Sequence, residues 1–483
     1  MKIDMELSKD ILERYNNGEI GQDIKMELSD LPQVDNKTIL DFTKDLNIKF
    51  TKKQITDFFN EFNIPDALLN RCKKYEFILN NDLLSDIGIY LYPYFSFGVL
   101  NGGSATSYVD SKKNSSFSQE YYSEYKKLFL DLSKEYIGKP KGITPAFINP
   151  DGSKGPSFME LKMRNLLIEA QRYSTVTGEE ATSLFPIFQM SSASNNNQLT
   201  DYYESIKSSP YLEKLLQETG IDITNVKSGI QPLITAYTHS SYGEKKDFFY
   251  DSNNNLLPIP GGHGQCFMVL KDIFKDLYSD GIRFVSIGNV DNIGYTIDPK
   301  SLALLAISGK EATFDFAFKT KYDTKGGVLI RDSKNKINCG DIGIIVPDTE
   351  IIKAEKNGNS ILFNSATGLF NLKYLIENID TIIDKLPVRF SDQNKDAGLY
   401  SQGEQITWEI IGLLSDFYIL AIDKYDRFLA SKLLLDNLLT SGLTSKKIPS
   451  NLKSYGESLN KGLRTKLSRD FKLKLNNGKW GNI

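Results

Sequence analysis

The chain has 483 residues, more than one ordinary core needs, so two or three domains are expected. Hydrophobic residues make up 40% and charged residues 25%, with a formal net charge of -3, an average composition that gives no reason to expect nucleic-acid binding. No apolar run approaches the roughly 20 residues of a membrane span, MKIDMELSKD lacks the apolar core of a secretory leader, and Cys72, Cys266 and Cys339 form no disulfide framework, so a cytoplasmic, membrane-free protein is expected.

In chain order, residues 1–85 read as an N-terminal helical region without a chemistry-bearing motif. DNKTILDFTKDL offers an Asp or Asn cap before an apolar-periodic run, and TKKQITDFFNEF repeats that pattern. IGIYLYPYFSFGVLNGG then reads as a buried strand entering a glycine turn. Onward to residue 440, short apolar strands alternate with helical stretches. KDIFKDLYSDG reads as a helix feeding the strand in GIRFVSIGNVDN; ATFDFAFKTKYD, GDIGIIVPD and NSILFNSATG read as further strands. The alternation predicts a largely parallel sheet flanked by helices, a catalytic domain over 86–440. Residues 108–136, polar and then helical, read as an insertion after the glycine turn. The tail, 441–483, is basic: Lys446, Lys447, Lys453, Lys461, Arg464, Lys466, Arg469, Lys472, Lys474 and Lys479 face only Glu457 and Asp470. Its helical spacing suits a solvated face or a clasp over the domain.

Four segments could carry chemistry. Leu100-Asn101-Gly102-Gly103 ends a strand with glycines that let backbone N–H groups approach a base or phosphate, although such a pair is also an ordinary turn. Lys141, beside Pro140, could neutralise a triphosphate or simply be solvated. His263 in PGGHG is framed by glycines that leave its ring free to donate to a phosphate. Asn289, Asp291 and Asn292 follow a strand, where an aspartate can hold Mg²⁺ with few protein ligands; the bland alternative is an Asx turn.

In order, LNGGSAT, KPKG, IPGGHG, NVDNIG, KTKYDTKGG, FNSATG and DRFLASK resemble the motifs of the UTP–glucose-1-phosphate uridylyltransferase family, part of the UDP-sugar pyrophosphorylase group. The resemblance covers roughly residues 95–435 and implies a Rossmann-like, GT-A-like mixed sheet. It implies that Leu100, Asn101, Gly102, Gly103 and Gly262 line the nucleotide, with His239 at the position of a uracil-reading glutamine. It further implies that His263, Asn289 and Asn292 bind the sugar phosphate and that Asp291 holds Mg²⁺. Lys141 and Lys395 would offset phosphate charge, and Asn364 and Asp341 would contact sugar hydroxyls. Ala105 stands where the family has a third glycine, and Ala366 and Thr367 replace its asparagine pair.

The implied reaction is in-line attack of a sugar 1-phosphate on the α-phosphate of UTP, giving a UDP-sugar (UDP-glucose first) and pyrophosphate. An already ionised nucleophile needs no general base, which suits lysines, amides and a metal carboxylate. The alternatives are a UDP-N-acetylhexosamine pyrophosphorylase and a catalytically weak UDP-sugar-binding protein.

Overall fold

The computed structural model describes residues 2–21, 28–106, 108–240, 244–395, 397–443 and 449–482. The main sheet has eleven strands, eight of them in one continuous order: β1 (Ile39–Asp41), β2 (Phe95–Leu100), β3 (Ile187–Ser192), β4 (Val226–Gln231), β5 (Phe284–Asn289), β6 (Ala312–Phe318), β7 (Leu362–Asn371) and β8 (Phe417–Ile422). Their spatial order is β1-β8-β6-β7-β5-β2-β3-β4. Every pairing along it is parallel except those of β7, which runs against both β5 and β6. The sheet is therefore mixed, and the carboxyl ends of its seven parallel strands share one edge. That edge is where open α/β sheets collect ligands.

β2 and β8 are buried at all six positions each, as strands covered on both faces must be. The helix Phe158–Thr177 belongs to the cluster on one face, fixed at its start by a Ser157/Glu160 capping box and ended by left-handed Gly178. On the other face the helix Leu372–Lys385 buries Leu372, Leu375, Ile379 and Ile382, an amphipathic stripe at helical spacing.

Several expectations change in detail. DNKTILDF is no helix. Asp35 Oδ1 accepts the backbone N–H groups of Lys37, Thr38 and Ile39 at 2.8–2.9 Å, closing a loop, and Ile39–Asp41 joins the sheet beside β8. The dipeptide Ile39-Leu40 is buried on both faces, and this tertiary burial overrides the local helical pattern. TKKQITDFFNEF does form the helix Lys52–Glu61. Of GDIGIIVPD, only the first two residues lie in a strand, Ile337–Asp341. Ile342–Val346 curls back through a bridge that gives the hydrophobic side chains a separate small core.

The insertion is three helices, Ser111–Phe117, Gln119–Glu124 and Lys126–Tyr136. They brace the segment after DRFLASK: Leu435 N donates to Asn114 Oδ1 at 2.9 Å and Tyr121 Oη donates to Leu443 O at 3.0 Å. The tail is the helix Ser450–Arg469 followed by a hairpin of Leu473–Asn476 and Lys479–Asn482. Lys466 is buried and pairs with Asp470 at 2.7 Å, while Trp480 N donates to Asn149 Oδ1 at 2.9 Å, so the tail is anchored to the domain. Lys446 and Lys447 lie outside the described residues. No helix among the described residues is long and apolar enough to cross a membrane.

Candidate active site

The motifs meet at the shared edge. LNGGSAT leaves β2, NVDNIG leaves the adjacent β5, and Asn289 pairs with Leu100 across the two strands. Although 35 residues of chain intervene, the glycine loop and KPKG lie side by side: Ala105 N donates to Lys139 O at 2.8 Å, and Lys141 N donates to Gly103 O at 3.0 Å. Asn101 makes this junction. Its fully buried side chain donates to Gln189 and Tyr203 at 3.1 and 3.2 Å and accepts from Gly142 N at 3.2 Å. The Asn101 amide therefore shapes the loop, and the backbone of Gly102 and Gly103 forms its exposed rim.

The opposite rim is the PGGHG loop. Gly262 has φ +84°, and a Cβ there would meet Gln405 O at 2.3 Å, so only glycine fits. Gln231, the last residue of β4, spans the two rims. Its Nε2 donates to Gly262 O at 2.7 Å and to Gln265 Oε1 at 3.0 Å, while its Oε1 lies 3.2 Å from where a Gly102 Cβ would be. No local sequence signal marks Gln231, because the pairing that places it is non-local. His239, by contrast, follows Tyr237–Thr238, a strand of a separate three-stranded sheet, and pairs with Asp392 at 3.1 Å. The side chain that bridges the two glycine loops is Gln231, whereas the contact found for the His239 ring is Asp392.

Beside the Gly103 rim stands Lys141, 7% exposed. Its Nζ donates to Ser431 O at 2.6 Å, lies 3.9 Å from Asp291 Oδ2 and rests 3.7 Å from the centroid of the Tyr108 ring. Burial pushes this ammonium down to about 8; Asp291 and Asp436 oppose the shift and Lys432 adds to it. DRFLASK supplies Ser431 and Lys432 because it runs antiparallel to NVDNIG: Ile293 N donates to Leu429 O at 3.0 Å and Ser431 N to Asp291 O at 3.3 Å. Exposed Lys432 acts electrostatically on Lys141, His263, Asp341 and Asp436, which places it centrally.

Asn292 is spent on this junction. It is fully buried, donates to Arg427 O at 3.0 Å and accepts from Gly294 N and Leu429 N at 2.9 Å each. A sugar-phosphate role for its side chain is therefore corrected to a structural one. Buried Lys162, which no motif revealed, ties the same turn by donating to the carbonyls of Asn292 and of Tyr295, the latter at 2.9 Å.

His263 has a fixed orientation. Thr407 N donates to Nδ1 at 3.1 Å, and Thr407 Oγ1 lies 2.7 Å from the same nitrogen. Burial, with Lys432 nearby, pushes the imidazolium down to about 4. The ring is thus neutral near pH 7 with its proton on Nε2, a donor suited to phosphate oxygen.

At the far end lie Asp341 and Asn364. A Cβ on Gly327 would approach Asp341 Oδ1 at 3.4 Å and Asn364 Cβ at 3.6 Å, so the two residues flank one spot. Asn364 Oδ1 accepts from Ala366 N at 2.9 Å within a β7 bulge, and its side chain also bonds to Cys339. Around them sit Arg389, paired with Glu409, and Glu404, opposite Arg389 in a hairpin. Burial pushes Asp341 and Glu404 up, and Glu409 up to about 7. Lys395 is exposed at the tip of that hairpin, opposite Gly398; it acts on Glu404 and is not brought to Lys141. The lysine found beside Lys141 is Lys432, not Lys395 as expected.

Residues 211–443 match a family model described as UTP–glucose-1-phosphate uridylyltransferase. A UTP–glucose-1-phosphate uridylyltransferase 2 of Dictyostelium discoideum is 27% identical over 153 residues, covering 27% of this chain and 30% of the relative. The chain thus spans less than a third of the length of such curated relatives. Among solved structures, a UDP-N-acetylglucosamine pyrophosphorylase of Trypanosoma brucei aligns with a TM-score of 0.57 at 15% identity, covering 92% of this chain and 84% of that one. A UDP-glucose pyrophosphorylase mutant of Leishmania major aligns with a TM-score of 0.55 at 15% identity, covering 92% and 77%. At that identity the structures show the fold, which is that of UDP-sugar pyrophosphorylases. The match over residues 211–443 and the ordered motifs both support the UTP–glucose-1-phosphate uridylyltransferase family, which that part of the chain resembles.

Proposed function

We propose that the protein transfers a uridylyl group from UTP to a hexose 1-phosphate, glucose 1-phosphate first, releasing pyrophosphate. The observation that supports it best is the meeting of Lys141, Asp291 and Lys432 beside the Gly103 rim, one of the two glycine rims that Gln231 spans. Gly102, Gly103 and Gly262 would admit the uridine, with Leu100 at its base. A phosphate oxygen of the sugar attacks the α-phosphorus; the new P–O bond forms as the bond to the β-phosphate oxygen breaks, and pyrophosphate leaves. Both reactants are anions, so charge is the obstacle. Lys141 and Lys432 offset it, and His263 Nε2 and Asn289 orient the attacking phosphate. Asn364 and Asp341 would hold sugar hydroxyls.

Asp291 fits Mg²⁺ in one respect: Mg²⁺ is commonly held by one or two carboxylates with substrate phosphates and water. No group of three or more His, Cys, Asp or Glu among the described residues could hold a metal, so substrate oxygens would complete the shell. A bound Mg²⁺ would neutralise charge on the triphosphate.

Comparing turnover of UTP with glucose 1-phosphate and with N-acetylglucosamine 1-phosphate tests this reading. Preference for the acetylated sugar would reassign the substrate. Tight UDP-sugar binding with no transfer would make the chain a binding protein.

A further inference from the structure

Buried hydroxyls ordinarily find partners, because one left without is destabilising. Among the described residues five hydroxyls are buried without one, those of Tyr108, Ser133, Thr235, Ser365 and Ser431. Two of these residues, Tyr108 and Ser431, surround one ammonium: Lys141 Nζ lies 3.7 Å from the Tyr108 ring centroid and 2.6 Å from Ser431 O. Tyr108 is 2% exposed and Ser431 is fully buried. Neither residue is loosely placed. Tyr108 O accepts from Leu434 N at 3.0 Å and from Asn114 Nδ2 at 2.9 Å, and Ser431 N donates to Asp291 O. Burial, with Asp436, Tyr136 and Asp291 around it, holds the Tyr108 phenol well above its usual range, so it remains a donor. Beside them the glycine loop is open: a Cβ on Gly103 would meet nothing within 4 Å.

We propose that Tyr108 and Ser431 complete an oligophosphate subsite around Lys141, their hydroxyls donating to the pyrophosphate end of the nucleotide, with the 108–136 insertion holding Tyr108 in place. The proposal rests on Lys141 being the phosphate lysine of the reaction above. The insertion thereby gains a function. Asn114 fixes the Tyr108 carbonyl and receives Leu435 N, so one residue of the insertion ties Tyr108 to the segment carrying Ser431 and Lys432. Ordinary packing of a tyrosine would satisfy its hydroxyl or expose it. Here two hydroxyls without a protein partner belong to residues that surround one cation, and an anion drawn to that cation would supply oxygens to accept from them.

The test uses the full chain and its Y108F, S431A and Y108L variants. Binding of magnesium pyrophosphate is followed by calorimetry, folding by thermal melting and reverse turnover by kinetics. Y108F and S431A should melt no lower than the native protein, since each removes an unpartnered buried hydroxyl. Each should bind pyrophosphate roughly tenfold more weakly, the loss of one hydrogen bond to a charged group. In reverse turnover the KM for pyrophosphate should rise while that for the UDP-sugar stays. Y108L, which also removes the ring under Lys141, should lower kcat as well. Unchanged pyrophosphate affinity in Y108F and S431A overturns the proposal, as does a native protein that does not bind pyrophosphate. Loss of binding in the variants, in a native protein that performs no uridylyl transfer, would leave the subsite standing and remove the transfer reading.

Discussion

The backbone N–H of Thr407 donates to Nδ1 of His263 at 3.1 Å across 144 residues of chain. Because a backbone N–H can only donate, Nδ1 must accept, and the ring proton sits on Nε2. A side chain that places an amide N–H where Nε2 stands should replace it best. His263→Gln should therefore keep more kcat/KM for the sugar phosphate than His263→Ala or His263→Asn. With its imidazolium held down to about 4, His263 should add no limb to the rate profile between about pH 5.5 and 7.5. A limb near the ordinary histidine range of about 6.5 that vanishes in His263→Gln would mean the ring is charged in the working protein.

Lys141 predicts the alkaline side. Its ammonium is pushed down to about 8, so in the free protein charge is lost as pH rises through that value. kcat/KM for UTP should fall above about pH 8. Lys141→Ala should cost about 3–4 kcal/mol of transition-state stabilisation, by analogy with loss of one preorganised donor. The stability sign is the opposite one: the unfolded chain binds the extra proton between about 8 and 10.5, so unfolding free energy rises with pH over that window. Rate profiles and denaturant melts of native and Lys141→Ala protein check both.

The two other lysines separate cleanly. Lys395 is exposed at a hairpin tip, whereas Lys432 acts on Lys141, His263 and Asp341 at once. Lys395→Ala should change kcat less than twofold, and Lys432→Ala should lower it roughly 10²-fold, the range for a preorganised charge at a reacting centre. Reversed effects would restore the hairpin lysine to the phosphates.

How much of this could be read from the sequence follows from how local each feature is. Glycine loops, PGGHG and NVDNIG are contiguous, so their order alone pointed to the family and the strand edge. Gln231, Thr407 and Tyr108 act through contacts between distant segments, and no local pattern marks them. Ile39–Asp41 misled because a three-residue edge strand carries no readable period, and its burial beside β8 outweighs a plausible cap. His239 matched by sequence position, yet it follows a short strand paired with the 398–405 strand, and its ring meets Asp392.

Glu409 gives a stability test. Burial raises it to about 7 from 4.5 against the opposing Arg389, so the folded state holds a proton the unfolded state loses between those values. That contribution is fully present below about pH 4.5 and is lost as pH rises through about 7, at a limit of about 1.4 kcal/mol per pH unit. Glu409→Gln should flatten the slope in that window. Denaturant midpoints at pH 5 and 7 that shift identically in both proteins would place the titration elsewhere.

Ala366 stands at φ +51° in the β7 bulge, a left-handed conformation that alanine disfavours by about 1 kcal/mol. Ala366→Asn should raise stability by up to that amount, since asparagine tolerates the region better. A lower melting temperature would show that the Cβ environment, not the backbone, governs the bulge.

The most direct measurement of the central claim is pyrophosphate release from UTP with Mg²⁺, with and without glucose 1-phosphate, for native and Lys141→Ala protein. Uridylyl transfer at this site predicts release only with the sugar phosphate, and release lowered at least 10²-fold by the substitution. Release independent of any sugar phosphate, or sugar-dependent release that Lys141→Ala leaves intact, would contradict it.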